Sequence, residues 1–179
     1  MDLLNKLAPS FDDPLGLLRA CHEKMCQHAL TLERLPAHLE QHGTDAEFAQ
    51  ASTRVLHYFE EAAPAHHRDE EAILFPWLFA QPAFPATLRD ALQRLLHQHI
   101  ELEQSWGDLA SDLRRILAGD ASVPLRLEPF LSTNRAHIVC ENEEIFPVAE
   151  ALLNPESARE LGAAMQRHRR AERFPAGRA

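Results

Sequence analysis

The chain has 179 residues, of which 45% are hydrophobic and 25% are charged, and its formal net charge at pH 7 is −9. These values are typical of one soluble globular domain with a core of its own. The acidic balance argues against nucleic acid or an anionic membrane surface as partner, because both bind basic faces. No apolar run approaches the roughly 20 residues that cross a bilayer, and the first residues do not resemble a signal peptide. We therefore expect a cytoplasmic protein.

The three cysteines, Cys21, Cys26 and Cys140, match neither a zinc-binding Cys-x-x-Cys pair nor a disulfide framework. We expect three reduced, half-buried thiols.

Long stretches with apolar residues at helical spacing, and only 6 glycines, predict an all-α chain of five helices. The first helix is expected to begin at Pro14 and to run to about residue 35, where Pro36 starts a bend or a short continuation that ends before Gly43. The second is expected from about residue 44 to 79, with a kink at Pro64.

The remaining helices are expected over residues 86–117, 124–153 and 155–170, after a loop over residues 81–85. Short links between long helices favour antiparallel neighbours. We therefore predict an up-and-down antiparallel four-helix bundle over residues 12–153, preceded by an N-terminal extension (1–11) and followed by a short accessory helix and tail (154–179).

Polar residues interrupt the apolar seams of the four long helices. Each seam contains one histidine, and the second and fourth seams also contain a glutamate one turn later, on the same helix face. The six residues are His22, His66, Glu70, His99, His137 and Glu141.

Carboxylates on such seams need compensation. An unpaired buried carboxylate would cost several kcal/mol or become protonated, and two in one core would repel each other. Two divalent cations bridged by the two carboxylates remove both problems, and the imidazoles complete the coordination. This ligand set suits iron best and manganese next, whereas zinc usually prefers four ligands, often including thiolate.

The second and fourth helices also repeat each other. The stretch 66–76 has the form His-x-x-x-Glu-x-x-x-Leu-Phe-Pro, and the stretch 137–147 matches it with Ile in place of Leu. Each follows a helix with a single seam histidine, as expected for a symmetric two-metal site.

These motifs resemble those of the hemerythrin-like family, the HHE cation-binding domain, over about residues 12–153. The resemblance implies a non-haem centre of two iron ions with carboxylate bridges and an oxo or hydroxo bridge, open to a small ligand such as O2, NO or peroxide. Oxygen-carrying hemerythrins have a further histidine where this chain has Glu103, and their last carboxylate lies where this chain has Asn142. Both differences argue against reversible oxygen carriage.

Some ligand assignments stay open in the sequence. His67 and Glu71 have the same spacing as His66 and Glu70, although the seam favours the latter pair. His97 would replace His99 only if the leucine seam of its helix were exposed. The second-tier ligand candidates are therefore Glu103, Glu144, His67 and Glu71.

The sequence favours a binding protein that senses a small ligand, handles iron or responds to stress. The alternatives are a di-iron oxidase or peroxide-decomposing enzyme and a helical interaction module whose metal is only structural. The fifth helix is expected to cap the bundle, with a homodimer contact as the other use.

Overall fold

The computed structural model describes residues 10–120 and 122–173, and the predicted all-α fold is confirmed over these residues. The first nine residues of the predicted extension and the tail from residue 174 lie outside this range. None of the described helices is long and apolar enough to cross a membrane. The five helices are α1 (Pro14–His42), α2 (residues 46–80), α3 (residues 86–117), α4 (residues 128–152) and α5 (Pro155–Arg173).

The four long helices form a closed ring, in which α1 contacts α2 and α4, and α3 contacts the same two helices. Two apolar layers fill the ring. The first layer contains Leu18, Leu95 and Ile145, and the second contains Met25 and Leu102. Helices α1 and α3 run from the first layer to the second, whereas α2 and α4 run in the opposite direction. The predicted up-and-down antiparallel bundle is therefore confirmed.

Side-chain caps determine where the first two helices begin. The Asp13 carboxylate accepts a hydrogen bond from the backbone N–H of Gly16 at 2.9 Å, and Asp45 does the same for Phe48 at 2.9 Å. Helix α1 continues through Pro36 to His42, which matches the predicted short continuation that ends before Gly43. One proline removes a single hydrogen bond, and the buried residues of the preceding turn keep this part of α1 packed against the core.

The fourth helix begins at Glu128, four residues later than predicted. A proline in the first turn indicates where a helix begins, and here that proline is Pro129 rather than Pro124. Residues 123–127 lack helical structure, and the Arg126 guanidinium lies 3.3 Å from the Asp112 carboxylate of α3. This ion pair holds the segment before α4 against α3.

Three π turns interrupt α2 and α4, and each stands two residues before a proline. In all three, the residue before the proline donates its backbone N–H to the carbonyl five residues earlier, as Phe75 does to Glu70 and Phe146 does to Glu141. A proline has no N–H, and its ring clashes with the carbonyl four residues earlier in a regular helix. The wider turn relieves that clash. The three turns are Tyr58–Ala62, Glu70–Leu74 and Glu141–Ile145.

The π turns at Glu70 and Glu141 each shift the buried face of the part of the helix that follows. After Glu70, the fully buried residues are Leu74, Phe75 and Leu78. Regular spacing would continue the buried face at Ile73 and Trp77, but these two are only half-buried. Helix α4 shifts in the same way after its own π turn, since its buried face moves from Val148 to Ala149.

Helix α5 packs on the bundle beside α1. Its Leu161 and Met165 are buried in the first apolar layer, and Gly162 lies so close to Phe11 that a Cβ would stand 1.7 Å from the Phe11 carbonyl oxygen. This packing agrees with the expected role as a cap. A homodimer contact through α5 stays a prediction.

Candidate metal centre

A polar layer lies between the two apolar layers, and every long helix contributes to it. The side chains of His66, Glu70, His137 and Glu141 are 0% exposed, and those of His22 and His99 are 2% and 4% exposed. The structure thus brings together all six residues predicted from the seams. Both glutamates also begin a π turn, a distortion that is frequent at functional sites.

The first ligand group consists of His22, His66, Glu70 and Glu141. The Nε2 atoms of the two histidines are 3.0 Å apart. His22 Nε2 lies 3.0 Å from Glu141 Oε2, and His66 Nε2 lies 3.1 Å from Glu70 Oε1. Four ligand atoms from three helices therefore converge on one small volume.

The second ligand group consists of His99, His137 and the same two glutamates. His99 Nε2 lies 3.2 Å from His137 Nε2 and 3.6 Å from Glu70 Oε2, and His137 Nε2 lies 3.2 Å from Glu141 Oε2. Within each group, the ligand atoms lie within 4.8 Å of one another. Glu70 and Glu141 belong to both groups, so the two histidine pairs share the same two carboxylates.

The spacing of the ligand atoms fits coordination to a common ion. Two donors at right angles, each about 2.1 Å from a metal, lie about 3.0 Å from each other, and a tetrahedral arrangement separates them by about 3.4 Å. The shortest ligand distances in both groups, between 3.0 and 3.2 Å, lie near the right-angle value.

The two carboxylates are compensated unequally in the metal-free core. Although burial opposes the charge of Glu141, the imidazoles of His137 and His22 hold its pKa well below its usual range, whereas Glu70 lacks such compensation. All four carboxylate oxygens of Glu70 and Glu141 are buried and have no hydrogen bond of good geometry. Burial, followed by the charge of Glu141, raises the pKa of Glu70 well above its usual range. Cations would replace the missing hydrogen bonds and cancel the repulsion, so these residues fit a metal centre.

The outer nitrogens of two imidazoles have acceptors. His22 Nδ1 lies 3.0 Å from the amide oxygen of Asn142, and His99 Nδ1 lies 2.6 Å from the carboxylate of Glu71. With a proton on Nδ1, each ring presents its Nε2 lone pair to the centre. Burial lowers the pKa of His66 and of His99, which keeps these imidazoles neutral and able to bind metal.

His67 lies beside the second ligand group, although its position off the seam placed it only among the second-tier candidates. Its ring stacks on His99 with centroids 4.2 Å apart, and it forms a potential metal group with His99 and His137. Its Nε2 is buried and has no hydrogen-bond partner, and burial lowers its pKa well below the usual range. The second ligand group is therefore the richer in imidazole.

The other candidates have different positions. Glu103 and Glu144 are exposed and belong to none of the metal groups found among the described residues. Glu71 contacts a ligand from outside, and His97 is exposed and lies 3.4 Å from Glu101. The sequence analysis did not predict the contact between Asn142 and His22. The one feature that pointed to Asn142 was its position directly after Glu141.

A cavity of about 340 Å³ adjoins the second ligand group. His67 and His99 form part of its wall, and it continues between α2, α3 and α4 toward the surface at Arg68, Glu71 and Glu103. The first ligand group has no comparable apolar space, because the pocket at His22 is lined by surface polar residues such as Arg19 and Gln27.

Comparisons with known proteins agree with this geometry. The family model of the hemerythrin HHE cation binding domain matches residues 13–149. The chain is also 31% identical over 163 residues to an uncharacterized protein of Haemophilus influenzae, covering 89% of this chain and 92% of that protein. The family match covers most of the chain, and it agrees with the bundle of four long helices and with the buried His/Glu cluster able to hold a metal. The chain therefore belongs to the hemerythrin HHE cation-binding domain family.

Proposed function

We propose that the protein is a non-haem di-iron protein that binds a small ligand such as O2, NO or peroxide, for sensing, iron handling or stress response. His22 and His66 would hold one iron, and His99 and His137 the other. Glu70 and Glu141 would bridge them. The observation that carries this proposal is that the two histidine pairs share the same two buried carboxylates.

The donor set supports iron over other metals. Imidazole with carboxylate suits iron and manganese, and thiolate is missing from the ligand groups of the described residues.

The surrounding residues support small-ligand binding. With only His22, His66 and the two shared carboxylates as protein ligands, one iron would keep positions open for a diatomic ligand or peroxide. Bound iron would supply one-electron redox chemistry at those positions. The protein's own residues hold the ligand imidazoles in one tautomer, through Glu71 and Asn142, and exclude bulk water with the apolar layers.

Metal analysis of the purified protein, combined with an absorption spectrum in air and with azide, tests the proposal. We expect about two irons per chain, near-ultraviolet bands of oxygen-bridged iron and a new band with azide. In the matched variant Glu141→Gln these bands should be lost, and in Glu143→Gln, an exposed neighbour, they should persist. A single zinc per chain, or azide without spectral effect, contradicts the proposal.

Two further measurements separate the alternative functions. Rapid consumption of peroxide by the iron-loaded protein, lost in Glu141→Gln, would indicate the di-iron enzyme. An unchanged fold and unfolding temperature after chelation, with no iron as purified, would indicate the interaction module.

A further inference from the structure

The cavity beside the second ligand group is larger than a diatomic ligand requires. A water molecule takes roughly 30 Å³ of liquid, and an engineered apolar cavity of roughly 150 Å³ binds benzene. The cavity here measures about 340 Å³, which is in the range of sites for small organic ligands. The space therefore has room for one or two aromatic rings.

Apolar side chains from all four long helices form the inner wall. Three aromatic rings are in mutual contact, with centroids 4.8 Å apart for Phe59 and Trp106, 4.9 Å for Phe59 and Phe130, and 5.1 Å for Trp106 and Phe130. Rings at these distances favour edge-to-face and offset packing with a further ring. The aliphatic part of the wall consists of Met25, Ala63 and Leu102.

Two residues of this wall, Trp106 and Asn134, carry polar groups and are themselves 8% and 4% exposed. The indole N–H of Trp106 is buried, so it is not open to a molecule in the cavity. The wall therefore recognises a ligand mainly through its apolar and aromatic surface.

The charged residues lie at the mouth rather than inside. Arg68, Glu71 and Glu103 are exposed, and the half-exposed Ile100 lies with them. A charged ligand would lose its hydration in the apolar interior without a partner of opposite charge there. The wall thus selects for an uncharged molecule.

We propose that this cavity binds one uncharged aromatic molecule of one or two rings, with the rings against Phe59, Trp106 and Phe130. The bound molecule lies next to His67 and His99 and so occupies the apolar approach to the second ligand group. The site goes beyond the proposed function, because its walls are protein side chains and do not depend on which metal is bound.

A titration of the purified protein with 4-fluorophenol, followed by ¹⁹F NMR, tests the site. We expect saturable binding of one molecule per chain, with nuclear Overhauser contacts from the probe to the Trp106 indole protons. The zinc-loaded protein should bind equally well, so that a failure to find iron and a failure to bind the probe are separate results.

Two variants locate the binding. Ala63→Leu fills the cavity from α2 and should weaken binding at least tenfold, whereas Ala62→Leu, the same change at the exposed neighbouring residue, should leave it intact.

Non-saturable binding, contacts to protons other than those of the cavity wall, or equal affinity in Ala63→Leu and Ala62→Leu would overturn the proposal. If Ala63→Leu does not fold, as judged by circular dichroism, Leu102→Phe fills the cavity from α3 instead. The Trp106 contacts in the unmodified protein decide the question without any variant.

Discussion

Glu70 destabilises the metal-free protein, whereas it would stabilise the protein with metal bound. Its side chain is fully buried, and its oxygens have no hydrogen bond of good geometry. Without a cation, ionisation of this carboxyl is opposed by burial and by the charge of Glu141. With cations present, the same carboxylate becomes a ligand. A residue that destabilises the empty fold is therefore explained by what it binds.

We expect Glu70→Gln to abolish metal binding and to stabilise the metal-free protein. Because the pKa of Glu70 is raised in the folded protein, its carboxyl keeps a proton at pH values where the same carboxyl in the unfolded chain has lost it. The stability that this protonated carboxyl contributes is fully present below the unfolded-state pKa of about 4.3 and is lost as the pH rises through the folded-state pKa. The variant does not lose this proton, so it should gain about 1–3 kcal/mol over the metal-free wild type at pH 8 and little at pH 4.

Urea unfolding of both metal-free proteins at the two pH values measures this difference. Titrating groups that do not interact with Glu70 act in both proteins and cancel in the comparison. The charge of Glu141 does interact with Glu70, and its relief in the variant adds to the gain at pH 8. Glu143→Gln, an exposed change on α4, is the control and should shift stability by less than about 0.5 kcal/mol. A variant that is less stable than wild type at pH 8 would show that Glu70 is satisfied in the metal-free fold.

Glu71 acts through His99 rather than on the metal. Its carboxylate lies 2.6 Å from His99 Nδ1 and fixes the tautomer whose Nε2 faces the centre. We expect Glu71→Ala to lower metal affinity about 10- to 100-fold, as measured by competition with a chelator. Glu103→Ala, at the exposed mouth of the cavity, should leave the affinity unchanged. Equal losses in the two variants would contradict this role.

At the scale of helices, the π turns determine which residues reach the core. Regular spacing on α3, which has no π turn, correctly predicts the buried positions from Leu92 to Ile116. On α2 the same spacing is right up to Glu70 and then fails by one residue, since the π turn before Pro76 moves the buried face to Leu74. The proline is visible in the sequence, but a prediction from a constant period of 3.6 residues does not allow for the wider π turn that accommodates the proline.

A matched pair of truncations tests this register. Leu74 is 0% exposed, so we expect Leu74→Ala to cost about 2–5 kcal/mol of unfolding free energy. Ile73 is half-buried, and Ile73→Ala should cost about 1 kcal/mol. An uninterrupted α-helix through Glu70 would reverse the order. Urea unfolding of the two metal-bound proteins gives the comparison directly.

The candidate site was more predictable than the register around it. Its six seam residues could be found because each helix places a polar group among apolar ones, and the structure brings all six together. His67 was harder, because its position beside His66 is about 100° around the helix, away from the seam. Only the packing of α2 against α3 shows that its ring reaches His99. The cavity likewise depends on four helices and has no signal in any one of them.

At the scale of the whole molecule, α5 contacts the polar layer of the bundle through a buried carboxylate. Asp69 is 0% exposed and directly precedes Glu70, and Arg169 of α5 donates from Nε to its Oδ2 at 2.6 Å. His168 Nδ1 lies 3.7 Å from the other oxygen of Asp69. The C-terminal helix therefore contacts the bundle both through apolar residues and next to the π turn that begins at Glu70.

This arrangement predicts that Arg169→Met loosens α5. Removing one partner of a buried ion pair typically costs about 3–5 kcal/mol, and the partial exposure of Arg169 together with the remaining contacts of Asp69 lowers our expectation to about 2–3 kcal/mol. Arg167→Met, an exposed change on the same helix, should cost little. Urea unfolding measures the loss, and limited proteolysis should cleave α5 sooner in Arg169→Met only.

The double variant Arg169→Met with Asp69→Asn separates the ion pair from packing. Because the neutral amide no longer leaves a buried charge, the double variant should recover more than half of the stability that Arg169→Met loses. If the two losses simply add, the guanidinium contributes through its packing on Phe11 instead, where it lies 5.6 Å from the ring centroid. Recovery of stability would instead show that charge compensation at Asp69 joins α5 to the helix that carries Glu70.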